Sequence, residues 1–401
     1  MRLEQPRLRR LRRAVTRHPF LAAYTRDLTS EDFQRLFTRD AVEAYKFFTR
    51  GVDSATFTQL RWHKRAAAHA RVFFLAFTMK LSPARRALYG IGVLAEIVGL
   101  VQLLRFDEQM RLSLVIVRIG LPLPAFAHGT FWVLVGFLLT NLLVLLEVAD
   151  RLSLKNDLDI AREIQQAMLP SGAYTAPGVQ AFGRTRPANT VGGDFYDVLR
   201  APDGRLIVAI GDVAGKGSPA ALLMALLLAI FRTLVDEGID LGTLVERLNT
   251  QVARHAPASR FITLFVAAFD PGSGRLQYVN AGHLPPIVWR GTSRQVERWT
   301  AGGMALGMFG GARYETTQAL LDPGDLLVLY SDGITEADNG HGQPFDDAGL
   351  LAVVRTRAAD TPEALVDATF RLVEQHTKDS RMTDDLTMLV VRRTMAPQGT
   401  S

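Results

Sequence analysis

Four acidic motifs lie at the edges of strand-like runs in the second half of this 401-residue chain: Gly192-Gly193-Asp194, Gly211-Asp212-Val213, Ser331-Asp332-Gly333 and Thr383-Asp384-Asp385. Aspartate is short, so it holds a cation close to the backbone that carries it. Glycine lets the backbone approach the ion or lends its own carbonyl. All-oxygen ligation of this kind suits Mg²⁺ or Mn²⁺ rather than zinc or copper. One Asp-Gly pair alone is only a turn signal. Four acids, each first or last in a buried run, describe a two-cation hydrolytic site. In such a site two ions about 3.5–4 Å apart share a bridging carboxylate and hold a hydroxide that attacks phosphorus directly. That chemistry needs no protein nucleophile. The chain has no cysteine, which excludes thiol-dependent phosphatases and proteases, disulfides and thiolate metal sites.

The acids need strands to position them. Strand-like runs occur at Leu206–Ile210, Ile262–Phe269, Leu276–Val279, Ile287–Trp289, Leu326–Tyr330 and Leu386–Val391. Helical spacing marks Ala220–Val235, Leu241–Arg254, Ala348–Arg355 and Pro362–Gln375. Strands come in clusters and helices in pairs, which predicts an α+β domain with antiparallel sheets rather than βαβ alternation.

Upstream the pattern is different. Residues 1–86 form a basic, mainly helical region, with Arg2, Arg7, Arg9, Arg10, Arg12, Arg13 and Arg17 crowded at its start. No aromatic residues interleave these arginines, and no helix-turn-helix or zinc-finger pattern follows. They are expected to face a cytoplasmic lipid surface rather than nucleic acid. Residues 87–149 form a membrane region with two spans, about 87–104 and 131–148. Glu96 sits inside the first and is expected to face its partner helix; Asn141 in the second is expected to hydrogen-bond across. Residues between them form a short external loop or interfacial segment. Two spans return the chain to its starting side, so the C-terminal half is expected in the cytoplasm. A linker helix over 147–169, with Ile160, Ile164, Ala167 and Met168 on one face, either pairs with its twin in a homodimer or packs on the following domain. That domain covers 177–393, and 394–401 is a tail.

The segments VGGDFYDV, IGDVAGKGSPAALLMA, FITLFVAAFDPGSGRLQYVNAGHLPP, LLVLYSDGITEA and TDDLTMLVV resemble the SpoIIE/RsbU branch of the metal-dependent protein phosphatases, related to protein phosphatase 2C. AREIQQAMLP resembles the helix that precedes the domain in that family. The resemblance implies an α-β-β-α sandwich with two Mn²⁺ or Mg²⁺ ions at one edge. It makes Asp212 the bridging ligand, with the Val213 carbonyl beside it. Asp194 would help to hold one ion, and Asp332 and Asp384, rather than the adjacent Asp385, the other. It also implies a phosphoserine or phosphothreonine substrate on an anti-anti-sigma-factor-like protein.

Five neighbours could serve the phosphate or the ligands: Asp197 as a supporting acid, Lys216 and the pair Arg184 and Arg186 as phosphate contacts, and His283 as a turn-holding residue or general acid. A membrane-bound nucleotide cyclase also joins membrane helices, a linker and two-metal aspartates, but no purine-recognition pattern accompanies these acids. A non-catalytic signalling scaffold is disfavoured by the complete acid set. The stretch GDVAGKG has three residues where a P-loop needs four, and Gly217 where it needs Ser or Thr.

Overall fold

The central strands of the C-terminal half are apolar on both faces, so each must be covered on two sides, and that demand sets the architecture. A computed structural model describes residues 61–104, 108–113, 118–123, 126–257, 259–300, 302–378, 380 and 382–395. The N-terminal arginine cluster lies outside the described residues. The chain divides into two compact units, Met1–Arg151 and Leu152–Ser401.

In the first unit, α1 (Trp62–Lys80) is followed by α2 (Pro83–Leu103), with Pro83 at the start of the helix, where its missing N–H costs nothing. The segment between the expected spans holds a hairpin, β1 (Glu108–Ser113) against β2 (Arg118–Leu123). This is a difference from the expected loop: Ile119, Leu121 and Leu123 alternate with Gly120 and Pro122, a strand pattern in a stretch too short to weigh by itself. Helix α3 runs without interruption from Phe126 to Met168.

Both α2 and the Gly129–Met168 stretch of α3 are long and apolar enough to cross a membrane. They cross where neither has a side chain. A Cβ on Gly99 would lie 2.7 Å from the Gly129 carbonyl, and one on Gly136 2.6 Å from the Gly92 carbonyl. Small residues are what let membrane helices approach this closely. Glu96 does face the partner helix, and Thr140 Oγ1 donates to its Oε1 at 3.2 Å. Asn141 does not reach across: its amide turns back to the Phe137 carbonyl at 2.8 Å. The hydroxyl one position earlier takes the role expected of Asn141, because it lies over Gly136, where the helices touch.

The second unit matches the expected α-β-β-α sandwich. Its strands are β3 (Tyr174–Ala176), β4 (Val179–Arg186), β5 (Phe195–Arg200) and β6 (Leu206–Val213), then, after helices α4 (Ser218–Asp236) and α5 (Leu241–His255), β7 (Ile262–Phe269), β8 (Arg275–Ala281), β9 (Ile287–Trp289), β10 (Val296–Arg298), β11 (Thr317–Leu320) and β12 (Leu326–Tyr330). Helices α6 (Asp332–Thr335), α7 (Asp346–Arg357) and α8 (Pro362–His376) precede the last strand, β13 (Leu386–Arg393). One sheet has the order β10-β9-β12-β13-β4-β3, the other β11-β8-β7-β6-β5, with every pairing antiparallel.

Alternate residues of each strand divide between layers. Val208, Ile210, Phe265, Leu327, Leu329 and Leu389 fill the space between the sheets. Their neighbours Ala209, Leu264 and Val266 turn outward onto Met224, Leu228 and Leu248 of α4 and α5. On the far side Val328, Met388 and Val390 pack against Leu365, Val366 and Phe370. Helix α4 also meets the length and composition of a span, yet one face of it belongs to this core, with Met224 and Leu228 fully buried.

Candidate active site

Strand register brings the four acids to one end of the sandwich. In the five-stranded sheet, Phe195 pairs with Gly211, which sets Asp194, just before β5, beside Asp212 near the end of β6. In the six-stranded sheet, Tyr330 pairs with Met388, which sets Asp332, just after β12, beside Asp384, just before β13.

The acids feel one another. Burial, then the charges of Asp212 and Asp385, push the Asp194 carboxyl well above the ordinary carboxylate range. Burial also raises Asp212, to about 6; the charges of Asp332, Asp384 and Asp385 add to this, while a hydrogen bond with Asp194 opposes it. Asp332 is raised by burial and then by Asp384 and Glu336. The Asp194 Oδ2 atom is buried and has no hydrogen-bond partner. A buried carboxylate oxygen without a partner is costly unless a cation meets it.

Gly193 faces this cluster. A Cβ there would stand 2.9 Å from the Val213 carbonyl oxygen and 3.3 Å from Asp212 Oδ1, so both oxygens turn into the same space. An all-oxygen set of four carboxylates and a carbonyl fits a hard divalent cation. Among the described residues, no three acid or imidazole groups already stand closed around a single point. Lys216 reaches the cluster, with its Nζ 2.8 Å from Asp384 Oδ2 and 2.5 Å from the Thr383 carbonyl. The hydrogen bond to Asp384 raises the ammonium's pKa.

Asp385 behaves unlike its neighbour. Its Oδ1 accepts from the Ala188 N–H at 2.8 Å, and its Oδ2 from the Gly193 N–H at 2.7 Å and the Asp194 N–H at 3.4 Å. It clamps the Asp194 loop by the backbone. Gly192 is a glycine for this reason: a Cβ would meet Asp385 Oδ2 at 2.2 Å. A Cβ on Gly333 would meet the Asp385 carbonyl at 2.0 Å.

A second clamp comes from the end of α3. Gln165 is buried, donates through Nε2 to the Gly192 carbonyl at 2.7 Å and accepts the Gly192 N–H at 3.2 Å. On the same helix Ile160 and Ile164 are exposed, while Met168 and, just past the helix end, Leu169 pack on the core beneath α4 and α5. Nothing in the sequence distinguishes Gln165 from exposed Gln166 except its place three positions before the helix ends.

The other neighbours make their hydrogen bonds and ion pairs to groups other than the four acids. Asp197 is fully buried and held by Arg232 Nε at 2.7 Å; Arg232 also caps the Met168 carbonyl at 2.5 Å. Arg184 pairs with Asp367 at 2.7 Å and lies over the Phe182 and Phe370 rings, and Arg186 pairs with Glu374. His283 directs its ring to Thr263 and the Tyr330 carbonyl, and burial lowers its pKa to about 4.

The chain is similar to known proteins over this domain. Residues 202–394 match the family described as Stage II sporulation protein E (SpoIIE). The phosphoserine phosphatase RsbU of Bacillus subtilis (strain 168) is 29% identical over 243 residues, covering 60% of this chain and 71% of RsbU. The phosphoserine phosphatase RsbP of the same organism is 26% identical over 190 residues, covering 46% of this chain and 47% of RsbP. Among solved structures, the SiaA-PP2C domain of Pseudomonas aeruginosa aligns with a TM-score of 0.53 at 22% identity, over 61% of this chain and 98% of that domain. The fold of the second unit is therefore that of a PP2C-type phosphatase.

Proposed function

From the SpoIIE-family domain that residues 202–394 form, homologous to phosphoserine phosphatases, we propose that this chain is a membrane-anchored, metal-dependent phosphoserine/phosphothreonine protein phosphatase. The observation that carries the reading is the convergence of Asp194, Asp212, Asp332 and Asp384 on one end of the sandwich, around a buried carboxylate oxygen with no partner. Asp194, Asp212, Asp332, Asp384 and the Val213 carbonyl would hold two cations, Mn²⁺ or Mg²⁺. When bound, these supply Lewis acidity at phosphorus and a nucleophile at neutral pH.

The chain's own side chains set the conditions. Burial first, and then the neighbouring carboxylates, disfavour the ionised forms of Asp194 and Asp212, and divalent charge relieves both. Lys216, half exposed at the rim, can turn from Asp384 toward a phosphate oxygen. The substrate class, a phosphoserine on an anti-anti-sigma-factor-like protein, rests on the family resemblance. Placement in a bacterial cell membrane, with the phosphatase domain cytoplasmic, is supported by α2 and α3, whose outer faces expose Ile91, Leu94, Leu134 and Phe137. The exposed Ile160 and Ile164 support a homodimer through the linker helix.

The test is phosphate release from a phosphoserine protein in buffer alone and with Mn²⁺. Metal-dependent release is expected; no release under either condition overturns the reading. Gln165→Ala is expected to lower turnover about 10-fold with the fold retained, in line with couplings of about 0.5–2 kcal/mol along such contacts. Steady-state kinetics beside a melting curve checks this.

A further inference from the structure

The two pairs of acids stand on different sheets, so something must fix the spacing between them. Asp212 lies on β6 and pairs across the ladder with Thr263 of β7. The Asp212 N–H points at Thr263 Oγ1, at 3.3 Å. Thr263 Oγ1 lies 3.0 Å from His283 Nδ1, and His283 Nε2 lies 3.2 Å from the carbonyl of Tyr330 in the other sheet. Tyr330 is two residues before Asp332.

The direction of this chain is determined. A peptide carbonyl only accepts, so Nε2 carries the imidazole proton and donates to Tyr330. A neutral imidazole has one N–H, so Nδ1 accepts. The Thr263 hydroxyl must then donate to Nδ1, which leaves its oxygen free to accept from Asp212. His283 is held in place from behind: its N–H donates to Asn280 Oδ1 at 2.8 Å, and Asn280 Nδ2 donates to the His283 carbonyl at 3.0 Å. The ring is buried and its lowered pKa keeps it neutral at physiological pH. Thr263 Oγ1 also lies 3.4 Å from the Asp212 carbonyl, a longer approach than the 3.0 Å to Nδ1, so the shorter contacts run from the Asp212 strand through Thr263 and His283 to the strand that leads to Asp332.

We propose that Thr263 and His283 are positioning residues that brace the two sheets against each other and so set the distance between the Asp212 and Asp332 loops. The proposal rests on the phosphatase reading, because the spacing matters only if both loops serve one site. Both side chains act through the backbone of the strands that carry the acids.

The experiment uses the full chain in detergent micelles, with Mn²⁺ binding followed by electron paramagnetic resonance beside phosphate release. Thr263→Val removes the hydroxyl at nearly constant volume; Thr263→Ser keeps it. Thr263→Val is expected to weaken Mn²⁺ binding about 10-fold or more, the usual cost of losing a residue that orients metal ligands. It should lower kcat with the KM for the phosphoprotein unchanged, and Thr263→Ser should restore both. His283→Ala, if it folds, should reproduce the valine variant. Wild-type Mn²⁺ affinity and kcat in Thr263→Val, or equal losses in the valine and serine variants, would overturn the brace. A wild-type chain that neither binds Mn²⁺ nor releases phosphate would overturn the phosphatase reading, and the brace with it.

Discussion

Asp212→Asn is expected to lower phosphate release by about 10³-fold or more, the several kcal/mol that metal-ion charge stabilisation contributes to such reactions. The metal-free fold should be firmer for the change, not weaker. Asp212 titrates at about 6 in the folded chain because of burial and the neighbouring acids, against an ordinary value of 3.8. The folded state therefore binds the proton more tightly than the unfolded one. The sign follows: above about pH 6 the ionised carboxylate costs stability, and the cost fades as pH falls toward 4. Its size is roughly 2–3 kcal/mol at neutral pH, at about 1.4 kcal/mol per pH unit of difference. Metal-free wild type should thus melt higher at pH 5 than at pH 7.5 in its site contribution, and the asparagine variant should lack that part of the slope. Mn²⁺ should raise the melting temperature of the wild type by mass action and leave that of Asp212→Asn nearly unmoved. Full activity in the variant would remove Asp212 from the site.

The parts of this fold that were legible before the structure are those where one physical demand acts alone. Ile287–Trp289 and Leu326–Tyr330 are buried on both faces and read as unbroken apolar runs, and Ile262–Phe269 is interrupted only by Thr263, so their limits coincide with β7, β9 and β12. The short strands β3, β10 and β11 were not legible. Their residues are half-buried or exposed, and only pairing with a neighbour holds them extended. The acids stood out because a charge at the end of an apolar run has few structural uses. Gln165 did not, because a glutamine in a helix next to another glutamine is ordinary until the chain folds it onto Gly192. The Arg184 and Arg186 side chains fit a phosphate as well as a carboxylate. Only the packing of α8 beside β4 brings Asp367 and Glu374 to them. Thr140 and Asn141 show the limit most sharply: both can bridge helices, and the angular position of Gly136 decides between them.

Asp384 and Asp385 are chemically identical neighbours with opposite expected phenotypes. Asp384 is 38% exposed and, among the described residues, holds Lys216 and its own loop, so Asp384→Ala should fold and melt like the wild type while losing metal-dependent turnover. Asp385 is 8% exposed and accepts three backbone N–H groups, those of Ala188, Gly193 and Asp194. Asp385→Ala leaves these donors unsatisfied in a buried loop, at about 1–3 kcal/mol for each group fully deprived of a partner. The charge it removes also repels Asp194, which offsets part of the loss. The net expectation is roughly 3 kcal/mol of destabilisation, with turnover lost because the Asp194 loop is released. Asparagine cannot repair this. One oxygen can serve Ala188 or Gly193 but not both, and the amide NH₂ then faces an N–H donor. Melting curves and Mn²⁺ calorimetry on Asp384→Ala, Asp385→Ala and Asp385→Asn separate the roles. A wild-type melting temperature in Asp385→Ala would show that the clamp contributes nothing, and undiminished Mn²⁺ binding in Asp384→Ala would move the ligand elsewhere.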